Sequence, residues 1–166
     1  SSRFHKDHRW GFFPSLSGAW RISEESFMEN TRTWLDNLKV RASWGKLGNS
    51  EIGNYEYMSV YSTTNAVFGN ALNSALYMGA IANSLLKWES TTSVNFGIDV
   101  NLLKNRLSIS ADLYQKKTDG ILYRPTIPYV FGTMTAPRQN LAKVSNKGVE
   151  LSLGWRDNIG GGSYSI

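Results

Sequence analysis

The chain has no cysteine in its 166 residues, which excludes disulfide staples and thiol chemistry. It also lacks any run of about 18 apolar residues, so no helix can span a membrane. A mean hydropathy of −0.33 would suit a soluble protein, but barrel strands escape hydropathy because half their residues face water. Charge of one sign is not concentrated: 18 Lys and Arg against 13 Asp and Glu give +5, spread along the chain. Nucleic-acid binding requires a concentrated basic face, and none is present. Histidine is scarce, and His5 and His8 around Asp7 could hold a metal only with a third ligand from elsewhere. Phosphate cradles are missing as well. Gly45 to Asn49 lacks the Walker spacing, and Gly160 to Gly162 precedes a strand and not a helix. Neither a metal nor a cofactor is expected.

What the chain does have is alternation. Val94, Phe96, Ile98, Val100 and Leu102 are apolar, and Asn95, Gly97, Asp99 and Asn101 between them are polar or glycine. After a turn at 103–106 the pattern restarts, with Leu107, Ile109, Ala111 and Leu113 opposite Ser108, Ser110 and Asp112. A period of two produces one apolar and one wet sheet face. Leu38 to Trp44 and Val149 to Trp155 repeat it, and Trp10 to Ile22 does so more weakly because Pro14 and Gly18 interrupt it. With a further candidate at Tyr55 to Ser62, about six strands are predicted. Carboxylates at mid-strand suit a water-filled barrel lumen, so the wet face is expected to turn Arg41, Asp99, Asp112, Glu150 and Arg156 inward and the apolar face to meet lipid.

The connections alternate in length. Turns are expected at 23–37, 103–106 and 157–162, and long irregular stretches at 45–87 and 119–145. Outer-membrane barrels place short turns on the periplasmic side and long loops outside. Ser23 followed by Glu24, Glu25 and Glu29 predicts a capped short helix within the first turn. Trp10, Trp20, Trp44, Trp88 and Trp155 fall at or near the ends of the predicted strands, where interfacial girdles lie, although tryptophan can also simply cap a sheet core.

Candidate contact residues come from the long loops: Tyr55, Tyr57 and Tyr61 in the first, Tyr123, Arg124 and Arg138 in the second. Aromatic faces stack on sugar rings, and guanidinium forks bind carboxylates or hydroxyls. The same tyrosines, spaced by two, could equally pack along an extended strand. Asp99, Asp112 and Glu150 share the wet face, but paired catalytic carboxylates need burial or coupling that a general polar wall does not supply, so no enzyme is expected.

The blocks RFHKDHRWGFFPSLSGAWR (Arg3 to Arg21), LKVRASWGKLGN (Leu38 to Asn49), WESTTSVNFGIDVNLLKNRLSISADLYQKKTDGIL (Trp88 to Leu122) and NLAKVSNKGVELSLGW (Asn140 to Trp155) resemble, in this order, the C-terminal half of the barrel in SusC/RagA-type TonB-linked outer membrane proteins of Bacteroidetes. The resemblance implies an all-β fold: an antiparallel transmembrane β-barrel segment of about 22 strands in the whole protein. It implies import of oligosaccharides, or in some branches peptides, through the Gram-negative outer membrane, with a SusD-like surface lipoprotein as partner. TonB would act through a region absent from this chain, and a barrel of this class needs at least 8 strands, so the chain is expected to be a section of a larger protein. A soluble sheet module binding glycan or protein is the alternative from another class. It would need a layer covering the apolar face, and no second sheet or long amphipathic helix is predicted.

Overall fold

A computed structural model describes residues 1–132, 134–159 and 162–166. Among the described residues eight strands form: β1 (Ser15–Arg21), β2 (Leu35–Asn49), β3 (Val60–Phe68), β4 (Ala71–Ala80), β5 (Glu89–Leu102), β6 (Leu107–Tyr123), β7 (Gln139–Ile159) and β8 (Gly162–Ser165). Six of them make one sheet in the order β1-β2-β5-β6-β7-β8, and β3 pairs with β4 in a separate hairpin. The residues form two compact units, 13–47 with 92–117 and 145–166, and 1–12 with 48–91 and 118–144.

In the first unit the alternation read from the sequence becomes the sheet's two faces. Leu16 pairs with Trp44, Gly18 with Ala42 and Trp20 with Val40, which places the apolar residues of β1 and β2 on one side. Leu16, Leu113, Val149, Leu151 and Leu153 are all exposed, between 52% and 75%. An apolar face left this open requires a covering medium. The other face carries polar side chains from every long strand.

Several boundaries differ from the sequence reading, and the differences have physical causes. The first strand begins only at Ser15, leaving Trp10 and Phe12 outside it, because Pro14 cannot donate to a ladder. The candidate strand at Tyr55 to Ser62 is a turn over 54–57, and pairing starts at Val60. The stretch 45–87 is not irregular: β2 continues to Asn49, and β3 and β4 follow. Likewise β6 runs to Tyr123 and β7 begins at Gln139, so the 119–145 loop shrinks from both ends. The hairpin of β3 and β4 is a second sheet that the alternation did not reveal. Strands of 15, 14, 17 and 21 residues in β2, β5, β6 and β7 exceed the 9–11 that cross a bilayer, and this length puts Trp44 and Trp155 inside strands instead of at their ends.

The helix expected after Ser23 is also absent. Two short 3-10 helices, Ile22–Glu24 and Ser26–Thr31, fill that connection without a side-chain cap, and Ser23 is buried. Trp20 donates its indole N–H to Glu25 Oε1 at 2.8 Å. The turn at 103–106 takes three consecutive left-handed residues, Leu103, Lys104 and Asn105 (φ 57°, 57° and 60°). Such a conformation is unfavourable for leucine and lysine. It is held by Asn105 N–H donating to Asp36 Oδ2 (2.8 Å) and Leu103 N–H donating to the Trp34 carbonyl (3.1 Å). Of the predicted 157–162 turn, Asp157 to Ile159 belong to β7, and residues 160 and 161 lie outside the described residues.

In the second unit Phe4, Ile52 and Leu86 form a buried cluster against Trp88 and Leu122. Phe4 stacks on Trp88 at 5.2 Å, and the Trp88 indole donates to the His8 carbonyl at 3.0 Å. The hairpin belongs to this unit too. From Tyr57 to Leu86 there is no charged residue and no histidine. Val67, Phe68, Leu72 and Leu76 on it are exposed.

The two-faced sheet predicts an asymmetric response to charge. In the full-length barrel folded into lipid vesicles, Leu151→Arg should cost about 2–4 kcal/mol near the bilayer midplane. Ser152→Arg, one residue along, should cost less than about 1 kcal/mol. Urea titration of both variants checks this, and equal tolerance would overturn the assignment of the faces.

Candidate functional site

On the polar face the strands bring three of the predicted residues together. Arg41 Nε lies 2.8 Å from Asp99 Oδ2, and Arg41 Nη2 donates to Asp112 Oδ2 at 2.9 Å. Ser110 donates to Asp99 Oδ1 at 2.9 Å. One guanidinium thus serves two carboxylates from neighbouring strands, a geometry that suits the planar arginine fork. The single guanidinium offsets one of the two negative charges, and both carboxylates are held by it in a structural pairing. Glycine at 97 makes room for the cluster: a Cβ there would come within 2.5 Å of Asp112 Oδ1 and 2.8 Å of Arg41 Cζ.

Glu150 and Arg156 occupy the same face by alternation. Gly148 and Gly154 of β7 face Tyr114 and Ser108 of β6, which share the parity of Asp112, and Glu150 and Arg156 share that of the two glycines. Neither of them joins the Arg41 cluster. Arg106 pairs with Asp157 at 3.4 Å near the short turns.

The loop candidates divide differently. Arg124, just beyond β6, and Arg138, just before β7, converge on Glu56, with Nη2 of Arg124 3.4 Å from Oε1 and Nε of Arg138 3.2 Å from Oε2. The Gly53 N–H donates to Oε1 at 3.0 Å, and Arg138 Nη1 donates to the Glu51 carbonyl at 2.9 Å. Asn83 ties the same region down by donating to the Arg138 carbonyl at 2.8 Å. The clamp itself lines a pocket of about 140 Å³, walled by Tyr55, Glu56, Met58, Ile81, Arg124 and Arg138 among others. Tyr55 and Tyr57 sit in the turn with rings 6.5 Å apart, and Tyr57 meets His5 edge-on at 5.9 Å. Tyr61 on β3 and Tyr123 at the end of β6 are exposed and do not line this pocket. His5 itself pairs with Asp7 at 3.1 Å. Sequence reasoning missed Glu56, whose only signal was its place as the last acid before the uncharged stretch.

A sheet with one lipid-compatible face and a charged, hydrogen-bonded opposite face defines a β-barrel wall. The family described as TonB dependent receptor-like, beta-barrel matches residues 1–166, and the chain belongs to it. It is 39% identical over 153 residues to TonB-dependent receptor P39 of Formosa agariphila, which covers 92% of this chain and 14% of that protein. It is 38% identical over 158 residues to TonB-dependent receptor SusC of Bacteroides thetaiotaomicron, covering 92% and 16%. Among solved structures, the RagAB peptide importer in its closed-closed state matches with a TM-score of 0.82 and 32% identity, over 95% of this chain and 17% of that one. The chain therefore spans about one sixth of the relatives' length, and its six-stranded sheet is an open section of a larger antiparallel transmembrane barrel. Membership in a barrel family displaces the soluble-module alternative.

The Arg41 cluster makes a testable demand on Gly97. Gly97→Ala must push apart Arg41 and Asp112 and should lower the stability of the full-length barrel by about 1–3 kcal/mol. Gly18→Ala, where no atom lies within 4 Å of the added methyl, is the matched control and should be neutral within about 0.5 kcal/mol. Paired urea unfolding curves measure the difference.

Proposed function

We propose that this chain supplies wall and outer loops of a TonB-dependent outer-membrane importer of oligosaccharides that works with a SusD-like surface lipoprotein. The observation that carries the reading is the two-faced sheet with the Arg41, Asp99 and Asp112 cluster on its polar side, which suits a water-filled interior backed by lipid. In this reading Arg41, Asp99, Asp112, Glu150 and Arg156 face the lumen. The connections around 23–37, 103–106 and 157–162 are periplasmic, and those within 45–87 and 119–145 are extracellular.

Several observations support the reading. Leu103 donates to the Trp34 carbonyl and so joins two of the short connections at one end of the strands, and Asn105 donates to Asp36 at the start of β2. The loops that carry Tyr55, Tyr57, Tyr61, Tyr123, Arg124 and Arg138 combine aromatic faces with guanidinium groups, the chemistry that holds sugars or peptides. The likeness to TonB-dependent receptor SusC favours the TonB-dependent part of the reading, and the likeness to the RagAB peptide importer favours peptide as the second substrate class. Coupling to TonB belongs to a region outside this chain. The wall's own part is passive: it bounds the path and keeps it wet, and the loops select what enters.

Uptake in whole cells tests the reading. Deleting the parent gene should reduce accumulation of a labelled oligosaccharide to background, and a protonophore should do the same in the unmodified strain. Uptake that survives the protonophore would identify a passive pore and overturn the active-importer reading.

A further inference from the structure

The clamp at Glu56 carries more positive than negative charge. One carboxylate receives two guanidiniums, and its second contact, Arg124 Nη2 at 3.4 Å, is a loose one. Arg138 is committed twice, to Glu56 and to the Glu51 carbonyl. Arg124 is the freer of the two, with its side chain 45% exposed at the pocket wall. The only other carboxylate near this wall on the same segment, Glu51, is an exposed residue whose contact here is made by its backbone carbonyl.

Tyr55 is the second, independent observation. It adopts a left-handed backbone conformation with φ 61°, uncommon for a bulky non-glycine residue. The turn over 54–57 accounts for it, since the Met58 N–H donates to the Tyr55 carbonyl at 2.9 Å. That turn leaves the Tyr55 side chain 63% exposed at the pocket wall, open to a ligand. The volume of about 140 Å³ is below the roughly 300–1,000 Å³ of pockets that enclose a whole ligand, so this one takes a single group of a larger molecule.

We infer that the pocket between Tyr55 and Arg124 receives a carboxylate group of the transported substrate, with Arg124 as its charged partner and the Tyr55 ring against the adjacent apolar surface. The inference rests on the importer reading and narrows its substrate to carboxylate-bearing molecules. A uronic acid of an acidic oligosaccharide and an acidic side chain of a peptide present the same chemistry to Arg124. Arginine provides a two-point fork for either, and Met58, Val60 and Ile81 supply the apolar part of the wall.

Binding to the full-length receptor in lipid nanodiscs, read by calorimetry, separates the outcomes. The probes are trigalacturonate, its neutral counterpart galactotriose, and a tripeptide of aspartate. Arg124→Gln should weaken binding of a carboxylate probe by about 10- to 100-fold, as expected for loss of a charge-assisted hydrogen bond. An unchanged limited-proteolysis pattern for Arg124→Gln shows that the pocket loops remain folded, and Arg124→Lys should restore part of the loss. A loss confined to trigalacturonate or to the peptide supports the inference and identifies the source of the carboxylate. Equal binding of acidic and neutral probes, an equal effect of Arg124→Gln on both, or no binding of any acidic probe overturns it. The importer reading is decided separately, by the protonophore-sensitive uptake described above.

Discussion

Everything in the larger sheet depends on its two faces meeting different media. Among the described residues only Phe4, Leu35, Ile52, Leu86 and Ala136 are buried hydrophobics, far too few to hold 166 residues together by an internal core. Backbone pairing satisfies the peptide groups, but a hydrogen bond exchanged with water contributes little net stability. In the proposed orientation the stabilising difference comes from lipid against Leu16, Leu113, Val149, Leu151 and Leu153 on one side, with water and the Arg41 cluster on the other. A single-residue slip of register would exchange the two sets and place Asp99 and Asp112 in hydrocarbon, which is why the register is so strongly specified.

The same constraint explains which parts of the fold were legible in the sequence. Alternation from Val94 to Leu113, Leu38 to Trp44 and Val149 to Trp155 is imposed by the two media, so the central strands could be placed residue by residue. The extensions of β2, β6 and β7 carry no regular alternation to betray them. β3 and β4 were hidden for a related reason, since Val60 to Ala80 mixes apolar and small polar residues on both sides of the hairpin. The helix expected after Ser23 rested on a capping pattern alone, and a connection this short is completed by 3-10 turns instead.

The candidate sites show the same division. Arg41, Asp99 and Asp112 could be assigned to one face from periodicity, although their mutual pairing depends on cross-strand register, which single-strand patterns do not contain. Arg124 and Arg138 were singled out for their chemistry, and only the fold shows that 14 residues of separation close onto one carboxylate. Glu56 has no periodic neighbour and no motif around it, so its role as the anion that both arginines share could not be read before the loops were folded. Tyr55 and Tyr57 were placed on a strand because a spacing of two suggests one; the turn instead turns their rings toward each other and toward His5.

The uncharged hairpin has an evolutionary consequence. β3 and β4 pair only with each other within their sheet, through a tight turn at Gly69 (φ 63°), while β2 and β5 are neighbours in the larger sheet on either side of it in the chain. Lengthening, shortening or replacing the hairpin leaves the pairing of β2 with β5 intact. Recombination between relatives can therefore exchange this segment as a cassette, and the wall can be inherited almost unchanged while the surface it presents diversifies.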